Sequence, residues 1–258
     1  GSPRYLHTLP TRRSSDLLDE RLKTLRTLEE KKADVRRLVE ALGLLTPELD
    51  RQIEAAVSQT EVDDIYRPFR PKRRTRASIA RERGLQPLAD LLIGQQSDRT
   101  ALENLARNLV NPEKEVPDFQ AAFAGAKDIL AELTADEPWV RRRLRQLLFQ
   151  EGKIECKGKT KESTVYEPFY NYQEAVNRIA GHRVLAINRG EREKILAVKL
   201  AIAPEQPVDI IRSWLIRRDS ASSLWLADVA EDAWKRLLLP SLETEVRNEL
   251  TERAEEQA

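Results

Sequence analysis

The sequence predicts a mainly α-helical protein, a multi-helix assembly with a small two-stranded β insertion. Three observations support this fold class. Apolar residues recur at three- and four-residue steps along most of the chain, which is the period of an amphipathic helix. The composition, 40% hydrophobic and 34% charged, is typical of a globular protein rich in such helices and too apolar for a disordered chain. Residues 153–157 instead alternate between polar and apolar side chains, and residues 195–202 form a short apolar run, as strands do.

The first two helices are predicted from their periods and their ends. The first should begin at Leu18 and stop before Gly43, because glycine favours the position after a helix C-terminus. The second should begin at Thr46-Pro47, since threonine is a good N-cap and proline fits the first helical position. Residues 1–16 show no period and resemble translated adapter sequence. They are therefore predicted to be a non-native or disordered leader outside the fold.

The remaining elements follow from the same rules. Pro68 and Pro71 forbid a helix around them, so residues 67–76 are predicted to form an extended basic loop. Further helices are expected at residues 75–83, 87–93, 100–110, 119–133, 138–150, 172–187, 208–216, 222–238 and 242–256.

The order of these elements predicts three segments. The leader, residues 1–16, is followed by an N-terminal helical region at 17–135. A second helical region at 136–258 carries the β insertion. The last helix is strongly charged and reaches the end of the chain without a stop signal, which predicts that a further domain follows in the natural protein.

Composition excludes several classes of function. The net charge is only +1, so the whole chain is no polycation, and no apolar stretch approaches the roughly 20 residues of a membrane span. A single cysteine, Cys156, favours a cytoplasmic location because it cannot form an internal disulfide. Two histidines and one cysteine provide little material for a transition-metal site, and glycine-rich phosphate loops are absent. We expect a monomer with no metal, no cofactor, no membrane partner and no enzymatic activity.

The candidate binding site is the basic segment, residues 67–83, with eight basic residues and one acid. Guanidinium groups suit phosphate because their donor fork matches two oxygens at once. The neighbouring rings of Tyr66 and Phe69 could stack on unpaired bases. Alternatively, the arginines pair with acids of the protein, which nearby Asp63 and Asp64 favour. The predicted phosphate-binding residues are Arg67, Arg70, Lys72, Arg73, Arg74, Arg76, Arg81 and Arg83.

Two other features carry weaker signals. A second basic block, Arg141 to Arg143 with Arg145, is predicted to be a solvated helix face, with two of the four side chains sharing a direction. His182 has no serine, cysteine or carboxylate at a catalytic spacing, so a structural role is expected. Gly190 should end the helix that contains it.

Residues 60–77 and 79–89 closely resemble the N-terminal region of the Tex family of bacterial transcription accessory proteins, and residues 179–191 are similar to a later segment of that family. The resemblance implies a helix-rich scaffold with a helix-turn-helix-like element, which binds nucleic acid and acts in transcription. It also implies that an RNase H-like domain would follow residue 258 in the natural protein.

The resulting functional prediction is binding to the RNA or DNA backbone without sequence specificity, within a Tex-like factor. RNA polymerase is a further candidate partner. The alternative is a protein–protein docking module for RNA polymerase or for other domains of the protein, with no direct contact to nucleic acid.

Overall fold

The computed structural model describes the backbone of residues 12–257 and the side chains of residues 17–257. Most of the predicted leader, residues 1–11, lies outside the described residues. The backbone of residues 12–16 already belongs to the first helix, so a helix runs into the part of the leader that is described.

The prediction of a mainly α fold is confirmed. In the first half of the chain the helices are α1 (Arg12–Ala41), α2 (Pro47–Ala55), α3 (Gln59–Tyr66), α4 (Arg76–Glu82), α5 (Gln86–Gly94), α6 (Arg99–Asn108) and α7 (Phe119–Ala135). The second half contains α8 (Pro138–Glu151), β1 (Lys153–Gly158), β2 (Asn171–Ala175), α9 (Gly181–Arg192), β3 (Leu196–Ala201), α10 (Glu205–Leu215), α11 (Ser223–Asp232) and α12 (Leu239–Glu256).

The chain folds as two compact units, with the division between Pro71 and Lys72. Unit 1 contains α1, α2 and α3 around a small apolar core that includes Val39 and Ile53. Its helix ends form as predicted: the Thr46 hydroxyl accepts the backbone N–H of Leu49 at 3.1 Å. Because Gly43 has a φ of +69°, a conformation that favours glycine, it ends α1 at the expected place.

Unit 2 is built around α7, against which α4, α5, α6 and α11 pack. One apolar core extends from Ala77 to Ala254. The predicted helix at 222–238 is straight α-helix only as far as Asp232, and residues 233–238 form a π-helical segment that leads directly into α12. The ring of Trp234, 2% exposed, fills the core at this segment.

The β insertion has three antiparallel strands in the order β2-β1-β3, one more than predicted. The prediction of a helix from residue 172 was wrong, because Tyr172 instead pairs with Cys156 across β1 and β2. Burial alternates along the first four residues of β2, where Tyr172 and Glu174 are half-buried and Asn171 and Gln173 are exposed. This short period-2 pattern carries little signal alone, and pairing with β1 decides the structure.

Gly190 lies inside α9 and does not end it, so this prediction was also wrong. A Cβ at Gly190 would lie 2.7 Å from Cδ1 of Leu196 and 3.0 Å from the ring of Tyr166. Because a Cβ there would require the Leu196 side chain to shift, the glycine is explained by close packing of α9 against β3 and against the loop between β1 and β2.

The thiol of Cys156 is buried in β1, and burial raises its pKa to about 11. At pH 8 only about one thiol in a thousand would then be ionised, and thiolate is the reactive form. We expect an aromatic disulfide reagent to modify the native chain far more slowly than the urea-unfolded chain, where the thiol has its ordinary pKa. Fast, complete modification of the native chain at pH 8 would contradict this prediction.

Candidate nucleic-acid interface

The basic segment begins where α3 ends and continues through α4. Residues 67–69 form a 3-10 turn, a difference from the predicted extended loop. Regular structure resumes at α4, whose N-cap is Thr75. The Thr75 hydroxyl accepts the N–H of Ser78 at 3.0 Å, and the Ser78 hydroxyl accepts the N–H of Thr75 at 2.9 Å. This capping box fixes the start of α4 and the residues just before it.

Arg67 and Arg70 belong to unit 1. Arg70 pairs with Asp63 at 2.8 Å, and its guanidinium lies 5.7 Å from the centroid of the Tyr66 ring. Tyr66 and Phe69 pack against the unit 1 core, so much of their ring surface is already covered by the protein. In unit 1 the structure therefore agrees with the internal-pairing alternative for Arg70.

In unit 2 the carboxylate of Glu132 on α7 gathers three groups of the basic segment. The hydroxyl of Thr75 donates to it at 2.8 Å and Arg81 donates at 3.0 Å. Lys72 lies 3.4 Å away and also pairs with the nearly buried carboxylate of Asp136. These bonds attach the part of the segment that lies in unit 2 to the C-terminal half of α7.

The pKa of Glu132 is consistent with a charged carboxylate that binds these three groups. Burial by itself would raise the pKa of Glu132, because a low-dielectric environment disfavours the charged form. Hydrogen bonds from Thr75 and Arg81 and the charge of Lys72 outweigh burial, so the pKa lies below its ordinary value. Glu132 therefore remains ionised and holds its partners at any pH near neutrality.

The other paired cations of the segment differ in their own exposure. Arg83, whose side chain is 32% exposed, pairs with the exposed Glu115, which is 32 positions away in the sequence. Arg74 lies 3.4 Å from Glu82, but the two side chains are 72% and 61% exposed. A solvated pair of this kind contributes at most about 1 kcal/mol, so it leaves the guanidinium of Arg74 available.

Arg73 and Arg76 are exposed, and within the described residues neither forms an ion pair. With Arg74 they form the arginine cluster, three exposed guanidinium groups within four positions. The structure thus separates the predicted site residues of unit 2 into the arginine cluster and the held cations Lys72, Arg81 and Arg83. Sequence reasoning could not make this division, because the partner acids Glu115, Glu132 and Asp136 lie far along the chain.

The second basic block differs from its prediction. Arg142 and Arg143 are exposed as expected, but the side chain of Arg141 is 0% exposed. Arg141 donates to the carbonyl of Ala135 at 3.1 Å and the hydroxyl of Ser241 at 3.0 Å, and it pairs with Glu245.

Arg145, one turn further along α8, pairs with the same Glu245 at 2.7 Å. Two of the four arginines do share a direction, as predicted, but they point into the protein. Their spacing of four residues was the one signal in the sequence for a common partner.

Other kinds of site find little support in the described part of the chain. His182 is exposed near the start of α9. No group of three or more His, Cys, Asp or Glu side chains among the described residues is arranged to hold a metal ion. None of the helices within residues 12–257 combines the length and apolar character needed to cross a membrane.

Comparison with known proteins identifies the family. Residues 97–258, more than half of the chain, match the family model described as Tex central region-like. The chain is 41% identical over 250 residues to protein YdcI of Bacillus subtilis, covering 93% of this chain and 34% of that protein. It is 37% identical over 250 residues to the transcriptional accessory protein Tex of Neisseria gonorrhoeae, covering 93% and 32%.

A more distant relative is the transcription elongation factor SPT6 homolog of Arabidopsis thaliana, 24% identical over 253 residues, covering 79% of this chain and 15% of that protein. The chain spans about a third of the length of the bacterial relatives that it matches. The predicted resemblance is confirmed, and the family model adds that residues 97–258 correspond to the central region. The chain belongs to the Tex family.

Proposed function

We propose that this chain is a nucleic-acid-binding scaffold of a transcription accessory protein, and that the arginine cluster contacts the phosphate backbone. The observation that carries the proposal is the exposure of Arg73, Arg74 and Arg76 beside cations that are held by buried acids. Guanidinium groups with no strong internal partner can turn their donor fork to phosphate oxygens without first breaking a buried pair.

The binding we propose is electrostatic and independent of sequence. Three exposed arginines on one short segment can follow a backbone, but they provide no array of donors and acceptors for base edges in a groove. Affinity should therefore fall steeply with salt, because counterions are released from the nucleic acid for each phosphate that is neutralised. RNA and DNA backbones are both suitable partners on this basis.

A role in transcription is proposed from the relatives. The Neisseria gonorrhoeae protein is named a transcriptional accessory protein and the Arabidopsis thaliana protein a transcription elongation factor homolog. We propose a binding role without catalysis, because the exposed His182 makes no side-chain hydrogen bond to a nucleophile or carboxylate within the described residues. The scaffold would present its arginine cluster while other parts of such a factor perform other tasks.

One observation favours the docking alternative for unit 1. α1 exposes Leu17, Leu18, Leu22 and Leu25, each by 43% or more. Exposed leucines repeated along one helix are suited to an apolar partner, such as a surface of RNA polymerase or another domain of a longer Tex protein. This function would need no contact between the arginine cluster and nucleic acid.

The test is fluorescence anisotropy of labelled single-stranded RNA and duplex DNA across a salt series. The variant Arg73→Gln, Arg74→Gln and Arg76→Gln should bind about ten-fold or more weakly at low salt. Its log–log salt slope on duplex DNA should be smaller by roughly 2 to 3, since each lost contact removes about 0.9. Glutamine keeps polarity and length while removing charge.

The matched control is Arg142→Gln, Arg143→Gln and Arg192→Gln, which removes the same charge from exposed arginines outside the basic segment. The control should keep the wild-type slope. If both variants lose affinity equally, the effect is one of net charge and the assignment to the cluster is wrong. If wild type and cluster variant bind equally weakly, the docking alternative replaces the proposal.

A further inference from the structure

An open pocket of about 240 Å³ lies in unit 2 at the N-terminal half of α7. Its walls come from α6, α7 and α11. Aromatic and cationic side chains dominate them, with one acid: Arg99, Glu103, Phe119, Phe123, Lys127 and Trp225. Pockets for drug-sized ligands usually measure roughly 300–1,000 Å³. This one is suited to a single flat group and not to a whole cofactor.

The rings of the pocket are held by the fold. Phe123 and Trp225 stack face to face, with centroids 4.7 Å apart and planes within 5°. Phe123 is buried and Trp225 is half-buried. The core therefore fixes the position of the pair, and both rings line the pocket. Phe119, at the start of α7, adds a third, half-buried ring.

Cations surround these rings. The guanidinium of Arg99 lies 6.0 Å from the Trp225 centroid, and that of Arg107 lies 5.7 Å from the Phe119 centroid. The one acid in the pocket wall, Glu103, is already paired with Arg99 at 2.8 Å, and Lys127 pairs at 3.3 Å with Asp228, which does not line the pocket. The surroundings of the rings are therefore mainly cationic. Flat π-systems combined with guanidinium groups are the surroundings on which unpaired bases stack.

The pocket and the basic segment lie along one face of α7. Gln120, Ala124, Asp128 and Glu132 follow at four-residue steps, so they share that face; the first three are exposed or half-exposed, and the side chain of Glu132 is 14% exposed. The face is about 18 Å long at the helical rise of 1.5 Å per residue. Its first end borders the pocket, and its last residue, Glu132, binds Thr75.

Asp128 lies in the middle of this face. Burial raises the pKa of Asp128, and the charges of Arg236 and Arg76 offset part of that rise. The carboxylate of Asp128 pairs with Arg236 at 2.9 Å, and Arg236 also pairs with Asp232. A ligand that follows α7 from the arginine cluster meets no unpaired acid at this position before it reaches the rings.

We propose that this face of α7 binds single-stranded nucleic acid, with phosphates on the arginine cluster and one base stacked on the rings of the pocket. The inference rests on the proposed function, to which it adds a preference for unpaired strands. A duplex keeps its bases stacked inside the helix, so it can offer the cluster its phosphates but cannot place a base in the pocket. The stacking is independent of base identity, because every base has a π-face.

The test compares two labelled single-stranded DNA oligonucleotides of equal length, one intact and one with abasic sites throughout its middle. Both carry the same phosphates. Wild-type chain should bind the abasic strand about ten-fold more weakly, equivalent to about 1.4 kcal/mol for a lost stacked base. Phe119→Ala should bring this ratio close to one.

Phe149→Ala is the matched control. Phe149 is also half-buried and has a guanidinium above its ring, that of Arg253 at 4.9 Å, but it lies on α8. This variant should keep the ten-fold ratio. Arg99→Ala, at a side chain 72% exposed, should lower the ratio without disturbing the core, and it replaces Phe119→Ala if that chain does not fold.

The outcomes separate the two proposals. If the cluster variant loses both strands while wild type binds intact and abasic strands equally, the inference is overturned and the proposed function stands. An apolar side chain of a protein partner would then be the occupant to test. If neither strand binds wild type in a salt-dependent way, both proposals are overturned. A ten-fold ratio that survives Phe119→Ala and Arg99→Ala would place the stacking elsewhere and also overturn the inference.

Discussion

Replacing Glu245 by alanine should lower the free energy of unfolding by about 3 kcal/mol. Arg141 is fully buried, and its guanidinium pairs with the carboxylate of Glu245. Removing the acid leaves a guanidinium that cannot be deprotonated in a medium of low dielectric constant. Arg145, 12% exposed, loses the same partner.

The measurement is urea denaturation followed by tryptophan fluorescence. Trp139, Trp214, Trp225 and Trp234 all lie in unit 2, so the signal reports the unit that contains the pair. Glu249→Ala is the control, since Glu249 is on the same helix and pairs with the exposed Arg253. This control should change stability by less than about 1 kcal/mol.

A triple variant, Arg141→Met, Arg145→Leu and Glu245→Leu, tests the cause. If the uncompensated charge of the two arginines is what destabilises Glu245→Ala, apolar replacement of all three side chains should recover much of the loss. A triple variant less stable than Glu245→Ala would contradict this explanation.

The same pair predicts a dependence on pH. Burial by itself would raise the pKa of Glu245, but the charge of Arg141 and the hydrogen bond from Arg145 outweigh it and lower the pKa. The folded pKa is thus below the unfolded value of about 4.3. The contribution of the pair is therefore complete above that value and is lost as the pH falls through the folded pKa.

The second large effect is expected at Gly152. The residue is buried between α8 and β1, where its N–H donates to the carbonyl of Leu148 at 2.9 Å and its own carbonyl accepts from Val176 at 2.9 Å. A Cβ added here would overlap the carbonyl oxygen of Leu148. Because a backbone atom cannot move aside as a side-chain tip can, Gly152→Ala should cost about 1–3 kcal/mol.

Gly94→Ala is the matched control, at a glycine where an added methyl group has room. Gly94 is the last residue of α5, and no heavy atom lies within 4 Å of an added Cβ. Alanine should therefore be neutral or stabilise by up to about 1 kcal/mol, because it lowers the entropy of the unfolded chain. Equal stability of the two variants in urea would show that the close approach at Gly152 does not determine the result.

The elements that could be predicted are those governed by neighbouring residues. The start of α2 follows from Thr46-Pro47 alone, and α1 from a long apolar period. The strand β2 could not be predicted, because Tyr172 and Glu174 are fixed by pairing with β1 about 18 positions earlier. The helical position of Gly190 depends in the same way on Leu196, a contact that no local pattern reveals.

In the candidate site, too, local features could be predicted and long-range contacts could not. The charge of the basic segment is visible in the sequence, but which cations are held is decided by Glu132 and Asp136 on a distant part of the chain. The aromatic pocket was missed entirely. Trp225 meets Phe119 and Phe123 only after α7 and α11 have packed together, and a single tryptophan in a helix ordinarily indicates core.

Glu132 is an acid, yet it contributes to the proposed binding of an anion. Lys72 and Thr75 contact the same carboxylate, so the stretch between them is a closed loop that presents Arg73 and Arg74. The backbone entropy of that stretch, about 1–2 kcal/mol per residue, is lost when the chain folds and need not be lost again when a phosphate arrives. The negatively charged Glu132 thus favours the binding of a phosphate, although both carry the same sign of charge. If the contacts of Glu132 were lost, phosphate binding should weaken even though Arg73 and Arg74 remained exposed.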